Sequence, residues 1–528
     1  MRKTFLPVTV ALISLAGTAF GAEFQPMGAL GIGGAGVART TNAMAGYWNP
    51  AGLAFNERTF SVPLSVSVGL RVSKGLADNV DKLSDFTEEG PNGDSALDNL
   101  TNINSGVNTA ALGDIISLLS ILKDIEEENG TISLNGNAVV AMQYKHFGFG
   151  AFGTMEGFAK PDVDFKNVLP GTETLGPDGK PINTPLTPTE FANLAAPAGT
   201  TLAPSELFFT DSAVRGEILT SLTANGLSSS QANNVINAID AQLASTAATS
   251  GLTQEQAADV LTNTLAPVLS SGGSIGDNRT SVFLKSLAYV EFPISYGHPV
   301  SLGKYGQLGV GASLKPIRGR VYASALRLVK DESVDSSDVT DNLTENFEES
   351  TSVTFDLGLF YKYSNWLNVG LVAKNLTSPE FDSPELRDQD GEPVTKDADD
   401  NLIGRPQKVT LKPQVRIGVS LDPLSWLTIA ADLDITDNET VLESLDYTSR
   451  NLGGGIELHP FTWFKLRAGM YKNLSNDEVG PVATAGLTFG TKWVNLDLDG
   501  AYGLEKTRYD EKDYPKEARA QASLNIQF

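Results

Sequence analysis

Cysteine is absent from the 528 residues, histidine occurs three times, and charge of one sign is in deficit: 39 basic against 63 acidic residues, a formal −24. Without cysteine there are no disulfides, thiolate metal sites, thiol nucleophiles or CxxC redox chemistry. The acidic balance argues against nucleic acid or anionic lipid as a partner. With 19% charged residues and 41% hydrophobic ones, the chain is neither a solvated acidic tail nor disordered throughout. Past the N-terminus no apolar run reaches the roughly 18 residues of a spanning helix. The best candidate, 111–122, is broken by Asp114, Ser117 and Ser120.

What is present begins with an export signal. Arg2 and Lys3 precede an apolar stretch from Phe5 to Ala16, and Ala19 and Gly21 offer small residues for cleavage, so 1–21 reads as a signal peptide. An exported chain without a spanning helix is either soluble or crosses a membrane as a β-barrel.

Period-two alternation favours the barrel. From Phe60 the even positions read Phe60, Val62, Leu64, Val66, Val68, Leu70, Val72, while the odd ones are small or polar. The same pattern recurs in fourteen segments, near 58–72, 131–143, 147–158, 281–297, 306–325, 351–363, 366–376, 407–421, 426–436, 449–459, 463–473, 481–490, 493–504 and 517–528. Connections after even-numbered strands are short and those after odd-numbered strands are long, up to the insertions 73–129 and 159–280. Outer-membrane barrels segregate loops in this way, whereas a soluble sandwich sees water at both ends. Trp366, Trp426, Trp463 and Trp493 each follow a short turn, as an interfacial girdle would; the alternative is a plug for the end of a sandwich core. The expectation is therefore an all-β, fourteen-stranded antiparallel transmembrane barrel over 58–528.

Fourteen strands leave a lumen to fill. The Gly- and Ala-rich segment 22–57, before the first strand, is the candidate hatch. Within it Gly31, Gly33 and Gly36 spell GxGxxG, yet no strand precedes them and no acid follows at the distance of a dinucleotide site. Asn49-Pro50-Ala51 reads either as a turn into the first strand or as part of a gate.

Here the residues resemble a family. Gly33-Gly34-Ala35-Gly36-Val37-Ala38, followed by Gly46-Tyr47-Trp48-Asn49-Pro50-Ala51-Gly52, resembles the N-terminal hatch of outer-membrane transporters of the FadL type. The runs 412–436, 452–474 and 480–498 resemble the TraF-like branch, labelled after a conjugal-transfer operon. The resemblance implies a hatch that carries Asn49, Pro50 and Ala51 together with Gly31, Gly33, Gly34 and Gly36. It also implies a Gram-negative-type outer membrane, a hydrophobic small-molecule ligand, contact with membrane lipid, and assembly through a C-terminal strand ending at Phe528.

No catalysis, cofactor or metal site is expected. His146, His298 and His459 fall in or beside different short turns, without Cys companions and away from the outer face. Inward charges are more regular. Lys412 and Arg416 are expected beside Asp432 and Asp434, and Asp497 and Asp499 beside Arg519, as register-fixing ladders, hatch docking or polar selectivity. In the long loops, Ile115, Leu118, Leu119, Leu122 and Ile125 form a helical stripe. An echo of 226–232 in 251–257 suggests two similar helices paired as a hairpin above the pore, serving as a lid, an apolar capture surface or a partner contact. A non-transporting surface scaffold is the alternative function.

Overall fold

The computed structural model describes residues 23–73, 76, 78–79, 82–83, 110–128, 130–177, 181–194, 207–250, 253–329, 345–403, 406, 408–439, 448–509 and 512–528. The segment read as a signal peptide, 1–21, most of 73–109 and the second Gly-Leu of the echo lie outside them.

Fourteen antiparallel strands close into a ring. They are β1 (Phe60–Val72), β2 (Ile132–Tyr144), β3 (Phe147–Asp162), β4 (in two halves, Ser281–Glu291 and Ile294–Ser301), β5 (Gln307–Arg327), β6 (Phe347–Ser364) and β7 (Leu367–Lys374). The ring continues with β8 (Gln414–Leu424), β9 (Leu427–Asp434), β10 (Asn451–Phe461), β11 (Phe464–Asn473), β12 (Val482–Gly490), β13 (Val494–Gly503) and β14 (Glu517–Gln527). Each strand pairs with its sequence neighbours, and β1 pairs with β14 from Ser61↔Gln527 to Arg71↔Glu517, so no edge is left open. All fourteen alternating segments are strands. No helix among the described residues is long and apolar enough to cross a membrane, which says nothing of a barrel.

Alternation sorts the faces. Val66, Val68, Val140, Met142, Leu314, Leu357, Ile417, Ile456, Leu466 and Leu498 point outward and are exposed. Ser65, Gln143, Thr154, Ser313, Thr354 and Thr484 point inward and are buried. An apolar belt of this extent around a closed ring requires lipid as its solvent.

The halves of β4 keep one register across their break. Phe149↔Ile294 and Phe152↔Glu291 lie on one diagonal, as do Leu314↔Ile294 and Ile317↔Glu291. Pro293 on β4 and Pro316 on β5 supply no N–H at this height, so the ladder thins there without shifting.

At 16 and 21 residues, β3 and β5 exceed the roughly 9–11 needed to cross a bilayer. Their outer ends are covered on both faces. The outward residues Val72, Leu134, Met155, Leu284, Ala288, Tyr322 and Leu326 pack against the long insertions. Those insertions supply α1 (Ala110–Glu128), α2 (Ser212–Ala224), α3 (Ser229–Ser250) and α4 (Gln254–Asp259), which runs on through a π turn to Leu269. The stripe Ile115, Leu118, Leu119, Leu122 and Ile125 is core of this helical body, not an open capture surface. Both copies of the echo begin in reciprocal caps, Ser228 with Gln231 and Thr253 with Gln256. The helices they start pack around α1 and α2 rather than as a hairpin over the pore. The helical body therefore leans on the outside of the wall.

The inner face is covered by a different segment. Phe158, Leu287, Tyr289, Ile317 and Val321, inward on β3, β4 and β5, pack against Phe381, Val409 and Leu411 of the β7–β8 connection. The described residues of that connection, within 375–413, enter the outer mouth.

Candidate functional site in the barrel lumen

Residues 23–56 lie inside the ring and are almost wholly buried. Short helical turns, Leu30–Ile32, Ala45–Trp48 and Pro50–Phe55, suit a sequence too rich in Gly and Ala for long regular elements. A small apolar core of Phe24, Met27, Ile32, Val37, Met44, Tyr47 and Trp48 holds the segment together. The Trp48 indole donates to the Met27 carbonyl at 2.8 Å, and the Tyr47 hydroxyl donates to the Gln25 carbonyl at 2.9 Å.

Docking to the wall relies on absent side chains. Gly33 adopts φ +67° and lies so close to the Gly454 and Met470 main chain that a Cβ there has no room. Facing glycines 453 and 469 leave the hollow that receives it. Gly34 also takes a positive φ, +73°, while Gly31 abuts Gly486 and Asp499 on the wall and Gly36 abuts the Trp48 ring.

Polar pins complete the seat. Asp432 Oδ2 accepts from the Gly36 and Val37 N–H groups at 2.8 and 2.9 Å, a carboxylate held by two successive amides. Arg416 lies 3.0 Å from Asp434 and 3.5 Å from Asp432, and donates to the Gly34 carbonyl at 3.2 Å. Arg416, Asp432 and Asp434 thus come together as the sequence phase required. Asn49 is fully buried. Its Nδ2 donates to the Val37 and Leu359 carbonyls at 3.2 and 2.9 Å, and its Oδ1 accepts from Ala51 N–H at 3.1 Å. Pro50 and Ala51 sit in the hollows of Gly311 and Gly358. Replacing Asn49 by Ala removes the donor to the buried Val37 carbonyl and to that of Leu359, at a cost of about 1–3 kcal/mol. Amides of residues 49–55 should then exchange hydrogen faster while those of the strands stay unchanged.

Two expected pairings differ. Lys412 precedes β8 and is exposed, because Val409–Thr410 pairs with Glu380–Phe381 and the barrel strand starts only at Gln414. Asp497 and Asp499 do not meet Arg519; both pair with Arg467, at 3.0 and 3.1 Å. The register places Asp499 opposite Gln521, so Arg519 lies two residues further out. There it pairs with Glu517 at 2.6 Å and reaches Glu23 of the lumen segment at 3.7 Å. Arg71 bridges the same two acids, at 2.9 and 3.2 Å. Arg39 of the segment pairs with Glu457 at 2.8 Å.

The sequence reading missed Glu23, Arg39, Arg71, Glu457, Arg467 and Glu517. It also missed a buried knot in which Lys315 lies 2.6 Å from Glu291 and 2.9 Å from Asp356. The strand residues among these fall on the inward phase, so carrying the alternation through every charged position would have found them.

Beneath the segment lies a cavity of about 200 Å³, lined mainly by polar groups that include Arg39, Asn42, Lys465, Asn495, Asp497 and Gln527. Trp366, Trp426, Trp463 and Trp493 are exposed at the β6–β7, β8–β9, β10–β11 and β12–β13 turns, all at one rim. Phe528 joins that rim, its N–H donating to the Phe60 carbonyl at 2.9 Å and its ring 6.0 Å from Trp493. No group of three or more potential metal ligands occurs among the described residues.

Several solved structures align with most of this chain. The Ralstonia pickettii toluene transporter TbuX aligns over 95% of this chain and 98% of its own, at 12% identity and a TM-score of 0.43. The Pseudomonas putida toluene transporter TodX aligns over 96% and 98%, at 11% identity and 0.37. A Pseudomonas aeruginosa FadL homologue aligns over 97% and 98%, at 10% identity and 0.37. No curated protein matches the sequence. The family described as "F plasmid transfer operon, TraF, protein" matches residues 46–434, from within the lumen segment to the end of β9. Spanning well over half of its length, that match makes the chain a member of the TraF family of the F plasmid transfer operon.

Proposed function

We propose that the protein is an outer-membrane channel for passive entry of hydrophobic small molecules, with 23–56 as its hatch. The observation that carries this reading is a lumen filled by a segment outside the ring's hydrogen-bonded ladder, seated by glycine hollows and a few polar pins. Such a segment can shift without breaking a strand pair. Its resemblance to the hatch of FadL-type transporters supports the substrate class.

In the proposed path, a ligand enters beside the β7–β8 connection and displaces the hatch around Asn49, Pro50 and Ala51. Straight passage onward would lead an apolar molecule into the polar cavity around Arg39, Lys465 and Asp497, stripping water from charged groups. Sideways release through the thinned ladder at Pro293 and Pro316 avoids that cost. Arg416, Asp432 and Asp434 dock the hatch in this scheme, and the four tryptophans hold the barrel at the inner interface. Phe528 and β14 present the C-terminal signal to the barrel-assembly machinery.

Uptake of a labelled fatty acid or aromatic hydrocarbon by cells with and without the gene tests the proposal. Faster uptake with the gene is expected; equal uptake across a broad substrate panel overturns it. A second reading, a surface scaffold, is favoured by the helical body, which stands outside the wall and takes no part in filling the lumen. Deleting 163–280 should abolish partner binding in that case, whereas a channel keeps uptake.

A further inference from the structure

We propose that the outer lumen contains a binding pocket for a neutral, phenyl-sized apolar group, and that Phe381 occupies it as a tethered stand-in until a ligand displaces it. The proposal rests on the channel reading above and gives its outer end a ligand class and a gate.

The inner wall is polar at most heights, so the apolar island of Phe158, Leu287, Tyr289, Ile317 and Val321 on three adjacent strands stands out. Its centre is a hollow over Gly319, where a Cβ would collide with the Phe381 ring. The Phe381 side chain is fully buried there, its ring stacked beside Tyr289 with centroids 6.1 Å apart and planes 16° apart. The hollow is therefore cut to one six-membered ring, with an aromatic face on one side and branched aliphatic groups around it. The groups of the cluster around the ring are apolar, and the buried Glu156 lies at its edge, opposite Leu287.

The segment that delivers Phe381 is built to move as a flap. Glu380–Phe381 pairs only with Val409–Thr410, a ladder of two residues, and is not part of the ring. At its base the chain turns through two non-glycine residues with positive φ, Asn375 at +56° and Ser378 at +51°. Asn375 is fixed from both sides: its N–H donates to Asp356 at 2.9 Å, and its Oδ1 accepts from Lys315 Nζ at 2.9 Å. The hinge thus stands on the buried Lys315 knot. Toward the rim the contacts are exposed and polar: Lys408 with Glu380 at 3.3 Å, Asp382 N–H to Ser350 Oγ at 2.9 Å, and Arg279 with Asp400 at 2.7 Å. Exposed ion pairs contribute little. Phe381 shares the hold on the flap with Val409 and Leu411, buried in the same island, and with the Arg387 carbonyl, which accepts from Ala325 N–H at 2.7 Å; an incoming ring of like size replaces the Phe381 contact alone.

The absence of native cysteine gives a clean test. In the full-length protein in lipid nanodiscs, binding of fluorobenzene is followed by fluorine NMR against empty nanodiscs. Phe381→Ala vacates the pocket and should bind at least tenfold more tightly than the unaltered chain, with Phe381→Leu between them. Ser350→Cys with Asp382→Cys, oxidised, should lock the flap and abolish binding, and reductant should restore it. Equal affinity of Phe381→Ala and the unaltered chain, or binding indifferent to the lock, overturns the proposal. A heat-modifiable gel shift confirms that each variant keeps its barrel. If fluorobenzene binds as expected while cellular uptake shows no dependence on the gene, the pocket stands and the channel reading falls.

Discussion

Deleting residues 23–56 is expected to turn a closed barrel into a conducting one while leaving the ring itself intact. The ring closes through β1 and β14, whose pairing from Ser61↔Gln527 to Arg71↔Glu517 involves no residue of the segment. What the deletion removes is the content of the lumen: the core around Trp48, the Gly33 contact with Gly454, and the Asp432 bonds to Gly36 and Val37. Water fills the vacated space readily because the inner face is polar, with Ser65, Gln143, Thr484 and Arg467 among its lining groups. In planar bilayers the variant should show stepwise ion conductance where the intact chain shows little, and cells carrying it should become sensitive to bulky hydrophilic antibiotics. Shortening the β7–β8 connection in the same variant should raise conductance again, since that segment covers the other mouth. Unchanged conductance from a variant that still gives the heat-modifiable gel shift would mean that 23–56 is not the seal.

Replacing Lys315 by Met should be the most damaging single substitution in the wall. The ammonium is almost completely buried and holds three partners, Glu291 at 2.6 Å, Asp356 at 2.9 Å and the Asn375 side chain at 2.9 Å. Removing one member of a buried ion pair strands the other, at a typical cost of about 3–5 kcal/mol, and here two carboxylates are stranded together. The loss should appear as a lower midpoint in denaturant-induced unfolding of the refolded protein. A triple variant, Lys315→Met with Glu291→Gln and Asp356→Asn, strands neither carboxylate but leaves the buried Lys374 facing no acid at these positions, so it should recover only part of the loss. Destabilisation as large in the triple as in the single variant would show that packing volume, not charge, governs this position.

Alternation made the ring legible before any coordinates. A strand between lipid and a wet lumen must change character at every residue, and fourteen segments do so. The segregation of short and long connections then sorts the two ends, and it groups Trp366, Trp426, Trp463 and Trp493 before any of them is seen in space. The Arg416 partnership with Asp432 and Asp434 was also accessible, because the short β8–β9 turn sets the register of those two strands.

Pairing further from a short turn was not. The expected meeting of Asp499 with Arg519 missed by two residues, and a slip of two keeps every side chain on its proper face, so the pattern cannot detect it. Lys412 was misplaced for a related reason: Val409–Thr410 has strand character but spends it on a small hairpin with Glu380–Phe381, and no local rule says which partner wins.

By itself, then, the sequence determined the side of the wall each strand residue faces, the number of strands and the end at which each loop emerges, because these follow from local chemistry repeated along the chain. Tertiary structure alone decided where the long connections go. The apolar residues of α1 and the apolar residues around Phe381 look alike on paper, yet one group covers the outer surface of β1–β5 and the other the inner surface of β3–β5. A sheet with two greasy patches back to back offers either insertion a place to bury. Which takes which depends on reach and chain path, quantities that exist only once the ring has closed.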